Sequence, residues 1–142
     1  MTLELHATPE EVMRAVETLQ EFARARGVPE NTIFGLALVL EECGSNIVNH
    51  ALQRDARQRF RVDLRHAQNV FIIELRDRGP EFNPTATAER NPQAKDDDLP
   101  GGWGIQLVRR YTDEIRYARE GDENVLHLTK RLGESKGPES NC

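Results

Sequence analysis

Between Arg78 and Pro100 the chain carries no apolar periodicity, although helical and strand patterns run almost unbroken on both sides. A structureless stretch of that length inside a compact domain is uncommon and usually serves as a lid or binding loop. The fold must therefore hold together across it. A length of 142 residues suits one domain with a single core and leaves little room for a second. One domain is expected over residues 1–132, followed by a polar, disordered tail from Gly133 to Cys142.

The flanking patterns are specific enough to place elements. Thr2 to His6 alternates in polarity as a short strand does. Thr8-Pro9-Glu10-Glu11 supplies a capping box with proline at the first helical position, so a helix is expected from Pro9. Its apolar stripe runs through Val12, Val16, Leu19, Phe22 and Ala23, and Gly27 is a suitable stop. A second helix is predicted from Thr32 to about Leu52, with Glu30 or Asn31 near its cap and Leu36, Leu40, Cys43, Ile47 and Ala51 on one stripe. Arg59 to His66 and Val70 to Arg76 are rich in β-formers and read as an antiparallel hairpin. After the polar stretch, Gly101-Gly102-Trp103-Gly104 opens a short helical pattern through Ile105, Leu107, Val108 and Tyr111. Two further strands follow, Glu114 to Arg119 and Asn124 to Lys130, joined across Glu120-Gly121-Asp122-Glu123.

Charge and composition exclude several classes of function. The formal net charge is −5 and the isoelectric point about 5.4, so the chain as a whole repels phosphate backbones and no direct nucleic-acid partner is expected. The longest apolar run, Ile33 to Leu40, falls far short of the roughly 20 residues that span a bilayer. No secretory signal is visible at the N-terminus, and a cytoplasmic location is the default expectation. Two cysteines, Cys43 and Cys142, make neither a disulfide framework nor a metal-ligand set.

Three clusters carry possible chemistry. The second helix places Glu42, Asn46, Asn49 and His50 at helical spacings that project them from one side. A carboxylate able to accept a proton there precedes, by one turn, an amide oxygen suited to Mg²⁺. The plainer reading, a solvated helix face, is the better one for this cluster alone. Asp77-Arg78-Gly79-Pro80-Glu81-Phe82 follows a strand directly: a carboxylate fixed there can accept from an exocyclic amine, Gly79 admits close backbone approach, and Phe82 can pack on a base. On its own it is equally a turn leaving a sheet. Gly101-Gly102-Trp103-Gly104 opens a helix, where backbone N–H groups and the helix dipole favour phosphate. A hinge reads the same way, and no Walker-type run is present.

Taken in order, Glu42-Cys43-Gly44-Ser45-Asn46, Asp77-Arg78-Gly79 and Gly101-Gly102-Trp103-Gly104 resemble the N, G1 and G2 boxes of the GHKL, or Bergerat-fold, ATPases and kinases. Within that superfamily the chain is most similar to the anti-sigma-factor serine protein kinases of bacterial partner switching. The resemblance implies an α/β (α+β) two-layer sandwich, a mixed, mainly antiparallel sheet with helices on one face, and a lid at about residues 83–100. It implies ATP and Mg²⁺ as cofactors, Glu42 as catalytic base toward a serine hydroxyl, and Asn46 as metal ligand. Asp77 would read adenine, Gly79 would line the base pocket, and Gly102 with Gly104 would cradle phosphates. Asn49, His50, Phe82, Ile105 and Thr129 are further nucleotide-pocket candidates. Implied partners are a STAS-domain antagonist, a sigma factor or other client, and a second copy of the chain in a homodimer. The alternative is a non-catalytic module whose partner affinity is set by ATP. Two positions depart from the pattern: Glu81 stands where a glycine is common, and Trp103 where a basic residue is frequent. Arg90, Lys95 and Arg109 are the candidates to replace that missing phosphate contact.

Overall fold

A computed structural model describes residues 1–85 and 102–133. Beyond Thr85 the expected lid, with Arg90 and Lys95, falls outside the described residues, as do Gly101 and all but the start of the expected tail. The described chain runs β1 (Thr2–His6), α1 (Pro9–Ala25), α2 (Glu30–Asn46), a π-helical turn (Ile47–Ala51), β2 (Arg59–Ala67), β3 (Val70–Asp77), α3 (Gly102–Tyr111), β4 (Glu114–Glu120) and β5 (Glu123–Arg131).

The strands form one sheet in the order β1-β2-β3-β5-β4. The sheet expected to be mixed and mainly antiparallel is antiparallel at all four pairings. Period-two alternation then sorts every strand into two faces. Val62, Leu75, Leu126 and Tyr117 line up across four strands, and Leu64, Ile73, Leu128 and Ile115 form the next row. These rows join the core under the helices. The opposite face carries Asp63, Glu74, His127 and Arg116 in register, and water can cover such a face of an antiparallel sheet.

The first helix starts where its cap predicts. Thr8 Oγ1 accepts from Glu11 N at 3.2 Å, while Glu11 Oε1 reaches past the expected partner to accept from His6 N at 3.1 Å. The buried stripe of α1 holds Val12, Val16, Leu19, Phe22 and Ala23, as the spacing requires, together with Ala15. Phe22 meets Phe71 edge to face with centroids 5.9 Å apart, tying α1 to the sheet. Small residues bring the helices close: a Cβ on Gly44 would lie 3.2 Å from Val12 Cγ1, and one on Gly35 only 2.5 Å from the Tyr111 ring.

The second helix departs from a uniform spiral. Leu52 N donates to Ile47 O at 2.8 Å, a five-residue step, and the chain leaves this π turn through Gln53 and Arg54 at φ 53° and 59°. Left-handed backbone at two successive non-glycine residues costs of order 1–3 kcal/mol each and persists only where its surroundings enforce it. Among the described residues, no helix is long and apolar enough to cross a membrane.

Candidate functional site

Strand register assembles the floor of the site. Phe60, Asp77, Asn124 and Arg119 occupy one inward-facing row at the end of the sheet, where the helices bury Asp77 and Asn124 to 5% exposure each. A buried carboxylate requires partners. Asp77 Oδ1 accepts from Gly79 N at 2.8 Å and from Asn124 Nδ2 at 2.9 Å. Oδ2 accepts from none of the described residues. Burial pushes the Asp77 carboxyl up, against the lowering pull of those two hydrogen bonds and of Arg119. One oxygen is thus held in place, and the other remains available to a donor.

The same asparagine ties down the segment after β3. Asn124 Nδ2 also donates to Pro80 O at 2.9 Å, and its Oδ1 accepts from Phe82 N at 3.2 Å and Tyr117 Oη at 2.5 Å. Arg119 donates to Gly79 O at 2.7 Å. Gly79 in turn lies against the end of the π turn, where a Cβ would sit 2.5 Å from Ala51 O and 3.0 Å from Ala51 Cβ. Backbone cannot retreat as a side-chain tip can. Gly79→Ala is therefore expected to lower stability by about 1–3 kcal/mol, read as a fall in the urea midpoint without a change in slope.

A cavity opens over this floor, lined by Cys43, Asn46, Ile47 and Ala51 from the second helix and π turn, Leu75, Asp77, Tyr117, Asn124 and Leu126 from the sheet, Ile105 and Val108 from α3, and Phe82 and Pro84. It holds about 30 Å³, room for two or three waters at about 10–15 Å³ each. A purine enters only if Phe82 and Pro84, the wall beyond the end of β3, move outward.

Glu42 lies beside the cavity, against the start of α3. A Cβ on Gly104 would come within 2.2 Å of Glu42 Oε2, so glycine lets that carboxylate sit against the helix. Burial and neighbouring Glu41 raise the Glu42 carboxyl, opposed by a hydrogen bond from Asn46. An Asn46 amide that donates its N–H to Glu42 keeps its oxygen as an acceptor.

The expected site residues thus divide. Asn46, Asp77, Phe82 and Ile105 meet at the cavity, Glu42 and Gly104 meet beside it, and Gly79 packs against Ala51 of its lining. Gly102 opens α3 as expected. His50 stands at the rim, its ring 6.4 Å from Phe82. Asn49 is exposed and accepts from Arg54 Nε at 3.0 Å. The expectation that it shares a side with Asn46 is corrected by the π turn, which adds a residue to that turn and presents Ala51 instead. Thr129 also requires correction: it pairs with Ile72 and Glu114 on the outer face, five residues along β5 from Asn124. Sequence reasoning missed Asn124, Tyr117 and Arg119. The available signal was an asparagine at the start of a strand, a residue depleted from strands.

A family model described as "Histidine kinase-like ATPase domain" matches residues 5–130. Serine/threonine-protein kinase BtrW of Bordetella bronchiseptica is 30% identical over 129 residues, covering 90% of this chain and 91% of its own. Serine-protein kinase RsbW of Listeria innocua is 26% identical over 146 residues, 99% and 92% of the respective chains. Among solved structures, a chain of the SiaB-SiaC complex from Pseudomonas aeruginosa matches with a TM-score of 0.71 at 10% identity, covering 91% of this chain and 88% of that one. The RsbU and RsbW domains of a Mycobacterium tuberculosis protein match with a TM-score of 0.66 at 19% identity, covering 93% of this chain but only 32% of that one. At these identities the structural likeness speaks to the fold.

Proposed function

The chain belongs to the histidine kinase-like ATPase domain family, and on that premise we propose that it acts as a partner-switching protein serine kinase of the anti-sigma-factor type. Kinase activity is the named property of relatives that align along nearly its whole length. The observation that carries the reading is the meeting of Asn46, Asp77 and Ile105 at one cavity with Glu42 beside it at the start of α3.

In this reading ATP is held with its base toward Asp77, whose free Oδ2 accepts the exocyclic amine, and its phosphates toward the N-terminus of α3. Among the described residues, no group of three acidic, histidine or cysteine side chains suits a metal. Mg²⁺, arriving with the nucleotide, would be held on the protein side by the Asn46 side-chain oxygen, a hard donor that fits the ion. When bound, the metal neutralises phosphate charge. Glu42 removes the hydroxyl proton of an incoming serine as the serine oxygen bonds to the terminal phosphorus and ADP leaves. Burial, which raises its pKa, makes that carboxylate a stronger base than an exposed one. Rates come mainly from positioning, the usual situation in phosphoryl transfer.

The serine belongs to a STAS-domain antagonist. Unmodified antagonist occupies the kinase and frees a sigma factor or other client in the cytoplasm. Phosphorylation releases the antagonist, and the client is recaptured, by a kinase that works as a homodimer. The test is incubation of purified protein with γ-labelled ATP and a STAS-domain antagonist. Label on a serine of the antagonist is expected. Tight ATP-dependent binding without transfer of label would select a non-catalytic module instead.

A further inference from the structure

The amide of Asn124, opposite Asp77 across the sheet, has every hydrogen-bonding group engaged. Its Oδ1 accepts from three donors: Tyr117 Oη at 2.5 Å, Phe82 N at 3.2 Å and Arg119 Nη1 at 3.2 Å. Those donors fix which way the amide points, because turning it over would set its NH₂ group against the Phe82 N–H and the Arg119 guanidinium. Nδ2 therefore faces the carboxylate, donating to Asp77 Oδ1 at 2.9 Å and to Pro80 O at 2.9 Å. Gly79 N takes the same Oδ1 at 2.8 Å. Of the Asp77 carboxylate, Oδ2 alone is left for a ligand.

We propose that Asn124 sets base selectivity: by occupying Asp77 Oδ1 it fits the cavity to adenine, which needs one acceptor, and against guanine, which needs two. The inference rests on the nucleotide reading above and adds the residue that chooses the base. Adenine presents its exocyclic amine beside an acceptor ring nitrogen. Guanine presents two adjacent donors, the ring N–H and the exocyclic amine, and a carboxylate meets both only with both oxygens. Here the second donor finds no acceptor, since Asp77 Oδ1 is taken and Asn124 Oδ1 already holds three donors. The next lining residues on the sheet, Leu75 and Leu126, carry no polar side chain to replace it. A donor left unpaired in such a site weakens binding by about 10–10²-fold.

Asn124 also holds Pro80 and Phe82, so its loss loosens the cavity wall for any nucleotide; the ratio of two affinities separates selectivity from that effect. Competition of unlabelled ATP and GTP against a fluorescent ATP analogue, with magnesium, supplies the ratio. The wild type is expected to prefer ATP by at least about tenfold, and Asn124→Ala to narrow that preference by about tenfold, as Asp77 Oδ1 becomes open to guanine. Tyr117→Phe removes a donor from Asn124 Oδ1 but leaves Nδ2 on Asp77, so both affinities move together and the ratio changes less than about twofold. Urea midpoints confirm folding; Asn124→Val, which suits a strand and also lacks the donor, carries the same expectation where Asn124→Ala does not fold. The inference is overturned if the wild type binds GTP as tightly as ATP, or if Tyr117→Phe narrows the ratio as much as Asn124→Ala. A selective wild type whose ratio survives loss of Asn124 overturns this inference alone, whereas a wild type that binds neither nucleotide overturns the ATP reading with it.

Discussion

Glu42→Gln should slow phosphoryl transfer to the antagonist serine by about 10²–10⁴-fold, the usual contribution of a positioned general base. Nucleotide affinity should stay nearly constant, because Glu42 lies beside the cavity and is absent from its lining. The substitution keeps the side chain's volume next to Gly104, so a fall in rate reports loss of the proton acceptor rather than a shifted α3. Single-turnover transfer of label, with nucleotide binding measured separately, distinguishes the two. Equal loss of both would assign Glu42 to binding.

The second large effect is expected at Asp77. Asp77→Asn keeps an oxygen for Gly79 N and Asn124 Nδ2 but places an N–H₂ where Oδ2 faces the cavity. A donor then opposes a donor, and nucleotide affinity should fall about 10–10²-fold, the scale of a lost hydrogen bond to a charged group. Unfolding cannot mimic this result. Burial raises the folded-state pKa of Asp77, so its contribution to stability is fully present below the unfolded value of about 3.9 and is lost as pH rises through the folded value. The variant, lacking the charge, should therefore gain on the wild type in urea midpoint as pH rises over that window. A constant difference across pH would contradict the burial account.

Much of this was legible in the residues. The alternation of β2 and β3 and the stripe of α1 are local patterns, and each states which side faces the core. The groups at Glu42, Asp77 and Gly104 were legible as chemistry, because each combines a functional atom with a spacing that helix or strand geometry interprets. Pairing was not. Nothing between Asp77 and Asn124 announces that the two stand opposite each other, since β3 meets β5 only after the chain has passed through α3 and β4. The Asn124 anchor was therefore invisible, and Thr129 was assigned to the cavity although a period of two puts it on the other face. The π turn was hidden for a different reason. Ile47 and Ala51 continue the apolar stripe of the helix before them and nothing in the residues marks the extra one; the widened turn lies where Ala51 meets Gly79 and just before the left-handed Gln53 and Arg54. Such bulges are frequent at functional sites, and this one turns Asn49 away from Asn46.

A crystal structure with a non-hydrolysable ATP analogue and magnesium tests the central claim most directly. The account predicts the purine in the cavity between Ile105 and the sheet, its exocyclic amine on Asp77 Oδ2, Phe82 and Pro84 displaced outward, and the metal on the Asn46 oxygen. Nucleotide bound elsewhere on the protein, while Phe82 still closes the Asp77 cavity, would contradict it.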